Sequence, residues 1–423
     1  MPTAAHLHAL DLGRFVTASP SSFHAAAEGA RRLGDAGFRL LSEEEDWPTA
    51  PGGYAVVRDG ALIAWSVPDG AGPLTPLRIL GAHTDSPSFK LKPKPTTGRL
   101  GWLQAGVEVY GGPLLNSWLD RELRLAGRLV MLDGATHLVA TGPLLRFPQL
   151  AIHLDRNVNE GLALGRQQHM NPVWGLGDPG SADLLGLLAD AAGVDAREVG
   201  GFDIVVADAQ ESAVFGAEGE FFASGRLDNL SSVHAGLTAL AGSQGAGDSI
   251  AVLAAFDHEE VGSASRSGAS GPFLEDVLAR IGDALGATAG DRRRALAASW
   301  HLSADAGHAV HPNYAERHDP ANHPVLNGGP LLKINANQRY ATDAPGAALF
   351  ARLCAEAEVP YQEFVSNNDL PCGSTIGPLT ATRLGIRTVD VGIPLLSMHS
   401  ARELAGVQDP WRLAKVAERF FAG

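Results

Sequence analysis

The sequence is poor in cysteine, and it lacks both long apolar runs and an excess of basic charge. Its 423 residues include only two cysteines, Cys354 and Cys372, too few for a disulfide framework or a thiolate zinc site. No run reaches the roughly 18 apolar residues that a membrane span needs. The 33 basic and 47 acidic side chains give a formal charge of −14, which argues against nucleic acid or an anionic membrane as a partner.

The amino-terminal stretch also lacks the features of an export signal. Residues 1–12 have no basic start, no continuous apolar segment and no small-residue cleavage site. Together with the low cysteine content, this predicts a cytoplasmic protein.

The length of the chain and its pattern of predicted strands and helices indicate two domains. A single core seldom grows beyond about 250 to 300 residues. Residues 1–89 and 201–423 alternate predicted strands and helices, whereas residues 90–200 contain short β-rich segments, including a hairpin that turns on Asp133-Gly134. We therefore predict an α/β fold, in which a mixed central sheet flanked by helices is interrupted by an inserted, mostly β, domain.

Two adjacent carboxylates, Glu259 and Glu260, follow the apolar run Ile250–Phe256. A strand that ends in a glycine-bearing turn can send one carboxylate to a metal ion and hold the other over the reacting atoms as a proton carrier. An isolated Glu-Glu pair is more often the solvated start of a loop, because such residues are rarely buried. The choice between these interpretations depends on residues elsewhere in the chain.

Four further candidate ligands lie at or just after the ends of predicted elements. They are His83, Asp228, Asp305 and His399. Groups beyond the carboxyl ends of strands in an open α/β sheet face one crevice, so these distant residues are expected to converge. Two histidines with three or four carboxylates and no thiolate suit a pair of divalent ions such as zinc, with manganese or cobalt as alternatives.

Asp85 follows His83 by two residues. An aspartate at this spacing can accept the second N–H of the imidazole and so fix its tautomer and orientation for metal binding. A His-x-Asp sequence by itself is equally typical of a surface turn.

Six blocks of the sequence resemble the aspartyl aminopeptidase family, the M18 metallopeptidases, which are dinuclear zinc exopeptidases. The blocks are 83–87 (HTDSP), 257–263 (DHEEVGS), 303–313 (SADAGHAVHPN), 338–341 (QRYA), 372–378 (CGSTIGP) and 398–403 (MHSARE). They follow the same order as in the family and span nearly the whole chain. The resemblance implies a zinc exopeptidase-like fold in which the inserted domain mediates dimerisation.

The resemblance also implies a role for each matched residue. Asp228 would bridge two metal ions, His83 would bind one of them, and Glu260 and His399 would form the other side of the pair with Asp305. The assignment of each terminal ligand to one ion stays open. Glu259 would be the general base that takes a proton from the bridging water and returns one to the leaving amine.

Two more residues are matched by the resemblance alone. Lys333 would bind the acidic side chain of an N-terminal Asp or Glu. His153 would reach the active site of a neighbouring subunit, contact the substrate there and stabilise the oxyanion. Without the family, Lys333 is interpreted as a solvated strand end and His153 as a buried, hydrogen-bonded histidine. The resemblance further implies dimers that assemble into a tetrahedral dodecamer.

These implications favour a metal-dependent aminopeptidase that removes acidic N-terminal residues from peptides. One alternative keeps the metals and changes the substrate, giving a neutral-residue aminopeptidase or an N-acyl amino acid deacylase. Another is a metal-stabilised assembly protein without activity. Glu259 disfavours the latter, because a purely structural site closes its coordination sphere and has no use for an unligated base.

Overall fold

The computed structural model describes residues 3–243 and 247–423, so the first two residues of the amino-terminal stretch lie outside it. Its α-helices are α1 (Ala4–Ala18), α2 (Ser22–Asp35), α3 (Arg166–His169), α4 (Leu184–Ala192), α5 (Leu227–Gly242), α6 (Phe273–Ala284), α7 (Ala289–Ala298), α8 (Ala344–Glu356), α9 (Ile376–Leu384) and α10 (Asp409–Ala422). None of these described helices is long and apolar enough to cross a membrane.

The strands form three sheets. In chain order they are β1 (Arg39–Leu40), β2 (Gly52–Arg58), β3 (Ala61–Val67), β4 (Leu77–His83), β5 (Ser88–Arg99), β6 (Trp102–Tyr110), β7 (Leu123–Met131), β8 (Thr136–Ala140), β9 (Val173–Leu176), β10 (Val199–Asp208), β11 (Ala213–Phe215), β12 (Phe221–Ser224), β13 (Ile250–Phe256), β14 (Trp300–Ala304), β15 (Gly307–His308), β16 (Leu331–Ile334), β17 (Gln362–Val365), β18 (Arg387–Gly392), β19 (Pro394–Leu396) and β20 (Glu403–Gly406).

The central sheet has nine strands in the order β1-β2-β3-β13-β4-β14-β18-β16-β17. Its middle strands β13, β4, β14 and β18 are mutually parallel, while β3 and β16 flank them in the antiparallel direction. All seven residues of β13 are buried, which explains its uninterrupted apolar sequence. The predicted mixed central sheet is confirmed.

Helices cover both faces of this sheet. Along β13, Ala251, Leu253 and Ala255 pack into the core on one face, and the alternate residues pack into the core on the other, as strand geometry requires. The first face is covered by α1, α5 and α10. The second is covered by α6.

A second sheet, in the order β8-β7-β10-β5-β6-β9, forms the inserted part of the chain. It has an apolar core of its own, which includes Phe89 and Ile204 together with Leu188 of α4. The predicted hairpin is confirmed, because β7 and β8 pair across a turn in which Gly134 has a φ of 89°. Since the strands run from Ser88 to Asp208, we propose 88–208 as the limits of the insert in place of 90–200.

The carboxyl ends of three neighbouring parallel strands meet at one edge of the central sheet. His83, the last residue of β4, is paired in register with Phe256, the last residue of β13. On the other side of β4, β14 ends at Ala304, directly before Asp305. Residues far apart in sequence therefore reach one crevice, because parallel strands in register end together.

Candidate active site

The carboxylate of Asp228 lies between two histidines at this edge. Its Oδ1 is 3.3 Å from Nε2 of His83 and its Oδ2 is 3.4 Å from Nε2 of His399. Nε2 of His83 is also 3.7 Å from Oδ1 of Asp305, and Nε2 of His399 is 3.5 Å from Oε2 of Glu260. The five residues predicted as metal ligands are thus brought together.

Their potential ligand atoms form overlapping groups, each within 4.8 Å. One group contains His83, Asp228 and Asp305, and another contains Asp228, Glu260 and His399. Asp228 belongs to both, as a bridging carboxylate would. The sequence analysis named Asp305 with Glu260 and His399 but left the assignment of each terminal ligand open. In the structure Asp305 lies in the group with His83, because β14 lies beside β4 in the sheet.

Both histidines present the same nitrogen to the carboxylates. Nδ1 of His83 lies 3.0 Å from the backbone oxygen of Asp85, and Nδ1 of His399 lies 3.1 Å from the backbone oxygen of Gly112. A carbonyl oxygen only accepts, so each Nδ1 carries a hydrogen, and in the neutral imidazole each Nε2 offers its lone pair to the crevice. This is the tautomer that a metal-binding histidine requires.

Asp85 is buried and holds the loop that carries both glutamates. Its Oδ1 accepts the backbone N–H of Glu259 at 3.0 Å, and its Oδ2 accepts the backbone N–H of Glu260 at 3.1 Å. The hydroxyl of Tyr110, on β6 of the inserted sheet, donates to Oδ2 at 2.8 Å. The Asp85 carboxylate lies 3.4 Å from Nδ1 of His83, so its closer contacts are with this loop.

Glu403 is a buried residue that the sequence analysis missed. One oxygen accepts the backbone N–H of His399 at 2.8 Å and the other accepts the backbone N–H of Asp228 at 3.0 Å. It therefore ties together the segments that carry two candidate ligands. The sequence feature that could have identified Glu403 is its place at the end of the 398–403 block, four residues after a predicted ligand.

The crevice fits divalent cations. Oδ1 of Asp228 and Oε1 of Glu260 are buried without a hydrogen-bond partner. Within the described ranges, the ion pairs of Asp85, Asp228, Glu260 and Asp305 are all with the two histidines. Buried carboxylates need a counter-charge, and a set of imidazole nitrogens and carboxylate oxygens without thiolate suits zinc.

The pKa shifts follow from this concentration of buried negative charge. Burial raises the pKa of Glu259 to about 8, opposed by His83 and reinforced by the carboxylates of Asp305 and Asp228. Burial, followed by the Asp228 carboxylate, raises the pKa of Glu260 well above its usual value. Burial lowers the pKa of His83, but the surrounding carboxylates outweigh it and raise that pKa. The field in the crevice therefore favours positive charge.

Lys333 lies in β16 beside these residues. Its side chain is only 2% exposed, so its interpretation as a solvated strand end is wrong. The ammonium donates to the backbone oxygen of Ala306 at 2.7 Å and lies 5.3 Å from the centroid of the Tyr340 ring. No carboxylate in the described part of the chain forms an ion pair with it.

His153 lies apart from the crevice. It is exposed, in a turn after residue 150 of the inserted segment, so its interpretation as a buried histidine is wrong. Its neighbours Leu150, Ile152 and Leu154 are 58%, 51% and 75% exposed.

Comparison with known proteins assigns the family. The family model described as "Aminopeptidase I zinc metalloprotease (M18)" matches residues 15–421. The probable M18 family aminopeptidase 2 of Streptomyces coelicolor is 55% identical over 419 residues, which cover 98% of this chain and 97% of that protein. This chain belongs to the M18 family of zinc aminopeptidases.

Solved structures of similar proteins agree with this assignment. The protein in the cryo-EM structure of the Ape4 and Nbr1 complex has a TM-score of 0.95 and 38% identity, with 99% of this chain and 86% of that chain covered. The S. cerevisiae mApe1 dodecamer has a TM-score of 0.85 and 30% identity, with 98% and 96% covered. The fold and family expected of this M18 aminopeptidase from its sequence are confirmed.

Proposed function

We propose that this M18 aminopeptidase removes N-terminal aspartate and glutamate from peptides. The observation that carries the proposal is the buried ammonium of Lys333, which donates to Ala306 directly after Asp305 of the metal-ligand cluster. No carboxylate in the described part of the chain lies within ion-pair distance of this ammonium, and a buried charge without a close counter-ion is costly. The side-chain carboxylate of a substrate would supply that counter-ion, whereas a leucine side chain would not.

We propose that two divalent ions share Asp228, with His83 and Asp305 on one side and Glu260 and His399 on the other. Zinc fits this donor set best, and manganese or cobalt also suit it. Bound ions would polarise the scissile carbonyl and make water a stronger nucleophile. The support is the pair of 3.3 and 3.4 Å approaches of the two Asp228 oxygens to the two histidines.

In this proposal Glu259 takes a proton from the attacking water and returns one to the leaving amine. Asp85 supports this role because it accepts the backbone N–H groups of both Glu259 and Glu260. The same carboxylate therefore fixes the base and a metal ligand relative to each other. Such a fixed arrangement lowers the cost of bringing the reacting groups together.

We further propose that His153 enters the active site of a neighbouring subunit and contacts the substrate and its oxyanion there. Its support is the exposed apolar group Leu150, Ile152 and Leu154 around it, which suits burial against another chain. The S. cerevisiae relative is a dodecamer, and we propose dimers assembling into a tetrahedral dodecamer here. Both cysteines are unpaired, which supports the cytoplasm as the location.

Lys333→Met tests the substrate class. Truncating one partner of a buried charge pair costs about 2 to 5 kcal/mol, so we expect kcat/KM for an Asp-peptide to fall by about 30-fold to 4000-fold. The value for the matched Leu-peptide should change by less than about threefold, because that side chain has no carboxylate to pair. Lys94→Met, at an exposed lysine of the inserted sheet, is the control.

Each alternative function predicts a different result. Equal losses on both peptides would remove Lys333 from substrate selection. A wild-type preference for the Leu-peptide would favour a neutral-residue aminopeptidase, and faster cleavage of acetyl-Asp would favour a deacylase. Metal binding without hydrolysis of any of the three would favour an assembly protein.

A further inference from the structure

A buried carboxylate that the chemistry above does not use lies on the strand next to the one that carries Lys333. Asp390, in β18, is 0% exposed. β18 lies between β14, which leads to Asp305, and β16, which carries Lys333. Burial raises the pKa of Asp390, and hydrogen bonds to its carboxylate together with the nearby Lys333 oppose that rise. A charge in this position needs partners, and its partners identify its role.

Both carboxylate oxygens of Asp390 accept hydrogen bonds from loops. Oδ2 accepts the backbone N–H of Ala341 at 2.6 Å, and Oδ1 accepts the hydroxyl of Thr375 at 2.6 Å. The backbone N–H of Asp390 donates to the hydroxyl of Thr342 at 2.9 Å. A Cβ at Gly377 would lie only 2.3 Å from Oδ1, so a glycine there leaves room for the carboxylate.

The first of these loops lies beside the Lys333 ammonium, and the second packs against the first. The 335–342 loop carries Tyr340, whose ring centroid is 5.3 Å from Nζ. The 372–375 loop contacts the first one directly, because the hydroxyl of Ser374 donates to the backbone oxygen of Arg339 at 3.2 Å. Asp390 therefore holds the two loops at their buried side. Ser374 joins them at the exposed side.

We propose that Asp390 is a positioning residue for substrate selection: it holds the 335–342 and 372–375 loops in place beside Lys333, and so sets the affinity for an acidic side chain. The inference rests on the proposed function, since it assumes that Lys333 receives the substrate carboxylate. A preorganised pocket binds more tightly because less ordering remains to be done when the ligand arrives.

Paired variants separate the effect of loop position from the effect of the Asp390 charge. Asp390→Ala removes both acceptors, and Thr375→Val removes one donor while the aspartate stays. Asp390→Asn can still accept from Ala341 and can donate to the Thr375 hydroxyl, and Thr375→Ser keeps that hydroxyl. Asp343→Ala is the control for a purely structural loss: Asp343 is an exposed helix cap that accepts from Gly346 N–H at 2.9 Å.

The measurements use the zinc-loaded oligomer, with kcat and KM on Asp- and Leu-peptides and calorimetric Kd values for L-aspartate and L-leucine. For Thr375→Val we expect the KM of the Asp-peptide and the Kd of L-aspartate to rise about tenfold, the effect of one hydrogen bond to a charged group. Asp390→Ala removes both bonds, so its rise should be larger. We expect kcat and both leucine values to stay within about threefold of wild type. Asp390→Asn and Thr375→Ser should keep the wild-type preference, and Asp343→Ala should lower only the melting temperature.

The possible failures are distinguishable. In Thr375→Val, equal losses on both peptides would overturn the positioning role, and so would a lower melting temperature alone. This test stands even if Asp390→Ala does not fold. A preference that disappears in Lys333→Met but persists in Thr375→Val would overturn this inference and leave the proposed function intact. A wild-type enzyme without acidic preference would overturn both.

Discussion

Replacing Asp85 by asparagine tests how the glutamate loop is held. The Asp85 carboxylate receives three donors: the backbone N–H groups of Glu259 and Glu260 and the hydroxyl of Tyr110, at 3.0, 3.1 and 2.8 Å. The two N–H groups meet different oxygens of the carboxylate. Asparagine has only one acceptor oxygen, so its NH2 group must face at least one of these N–H donors.

The expected magnitude follows from that loss. A hydrogen bond to a charged group contributes about 1.5 to 3 kcal/mol, so losing one predicts a fall in kcat of about 10- to 150-fold. Residues that support metal ligands typically cost about 10- to 100-fold when replaced, which agrees. Tyr110→Phe removes one donor but leaves both N–H bonds of the glutamate loop in place, so its effect on kcat should be smaller than that of Asp85→Asn.

The assay compares kcat and KM on an Asp-peptide for wild type, Asp85→Asn and Tyr110→Phe, with zinc content measured on the same samples. We expect kcat to be highest in wild type, intermediate in Tyr110→Phe and lowest in Asp85→Asn. The KM should change little, because Lys333 lies on β16 and not on the glutamate loop. Wild-type kcat in Asp85→Asn, or a loss confined to KM, would refute this account of the loop.

Two further predictions concern stability. Complete chelation should lower the melting temperature, because an ion at about 1,000 times its Kd stabilises the fold by about 4 kcal/mol; unchanged melting would argue against ions in the crevice. Burial lowers the pKa of His301 from 6.5 to about 3, so the stability it contributes is present above pH 6.5 and is lost as the pH falls towards 3. That loss is about 2 kcal/mol by pH 5. His301→Gln should therefore lose less melting temperature than wild type between pH 7 and pH 5, whereas the exposed control His323→Gln should match wild type.

The parts of the fold that the sequence predicted are those with a local cause. β13 was predicted with its observed bounds, because a parallel strand buried on both faces has an uninterrupted apolar sequence. The convergence of the candidate ligands followed from the rule that parallel strands present their carboxyl ends at one edge. The helix that begins near Asp228 was predicted, but Asp228 itself has a non-helical ψ of 101°, which no local pattern indicates.

The residues that were missed act across long separations in sequence. Tyr110 bonds to Asp85, 25 positions away in the loop after β4, and Glu403 bonds to Asp228 across 175 positions. Neither contact produces a periodicity or a motif spacing in the sequence, because each depends on how distant elements are placed in the fold. The pairing of Asp305 with His83 likewise required the strand order.

The inserted segment contacts the candidate metal-ligand cluster directly. The backbone oxygen of Gly112 lies 3.1 Å from Nδ1 of His399 and so fixes which nitrogen faces Asp228. The backbone oxygen of His399 accepts Leu114 N–H at 2.9 Å, and Tyr110 reaches Asp85 from the same side. Two sides of the cluster are thus held by residues 110–114, at the carboxyl end of β6 of the inserted sheet. Because these bonds orient a candidate ligand and the glutamate loop, a shift of the insert relative to the central sheet would change the geometry of the crevice.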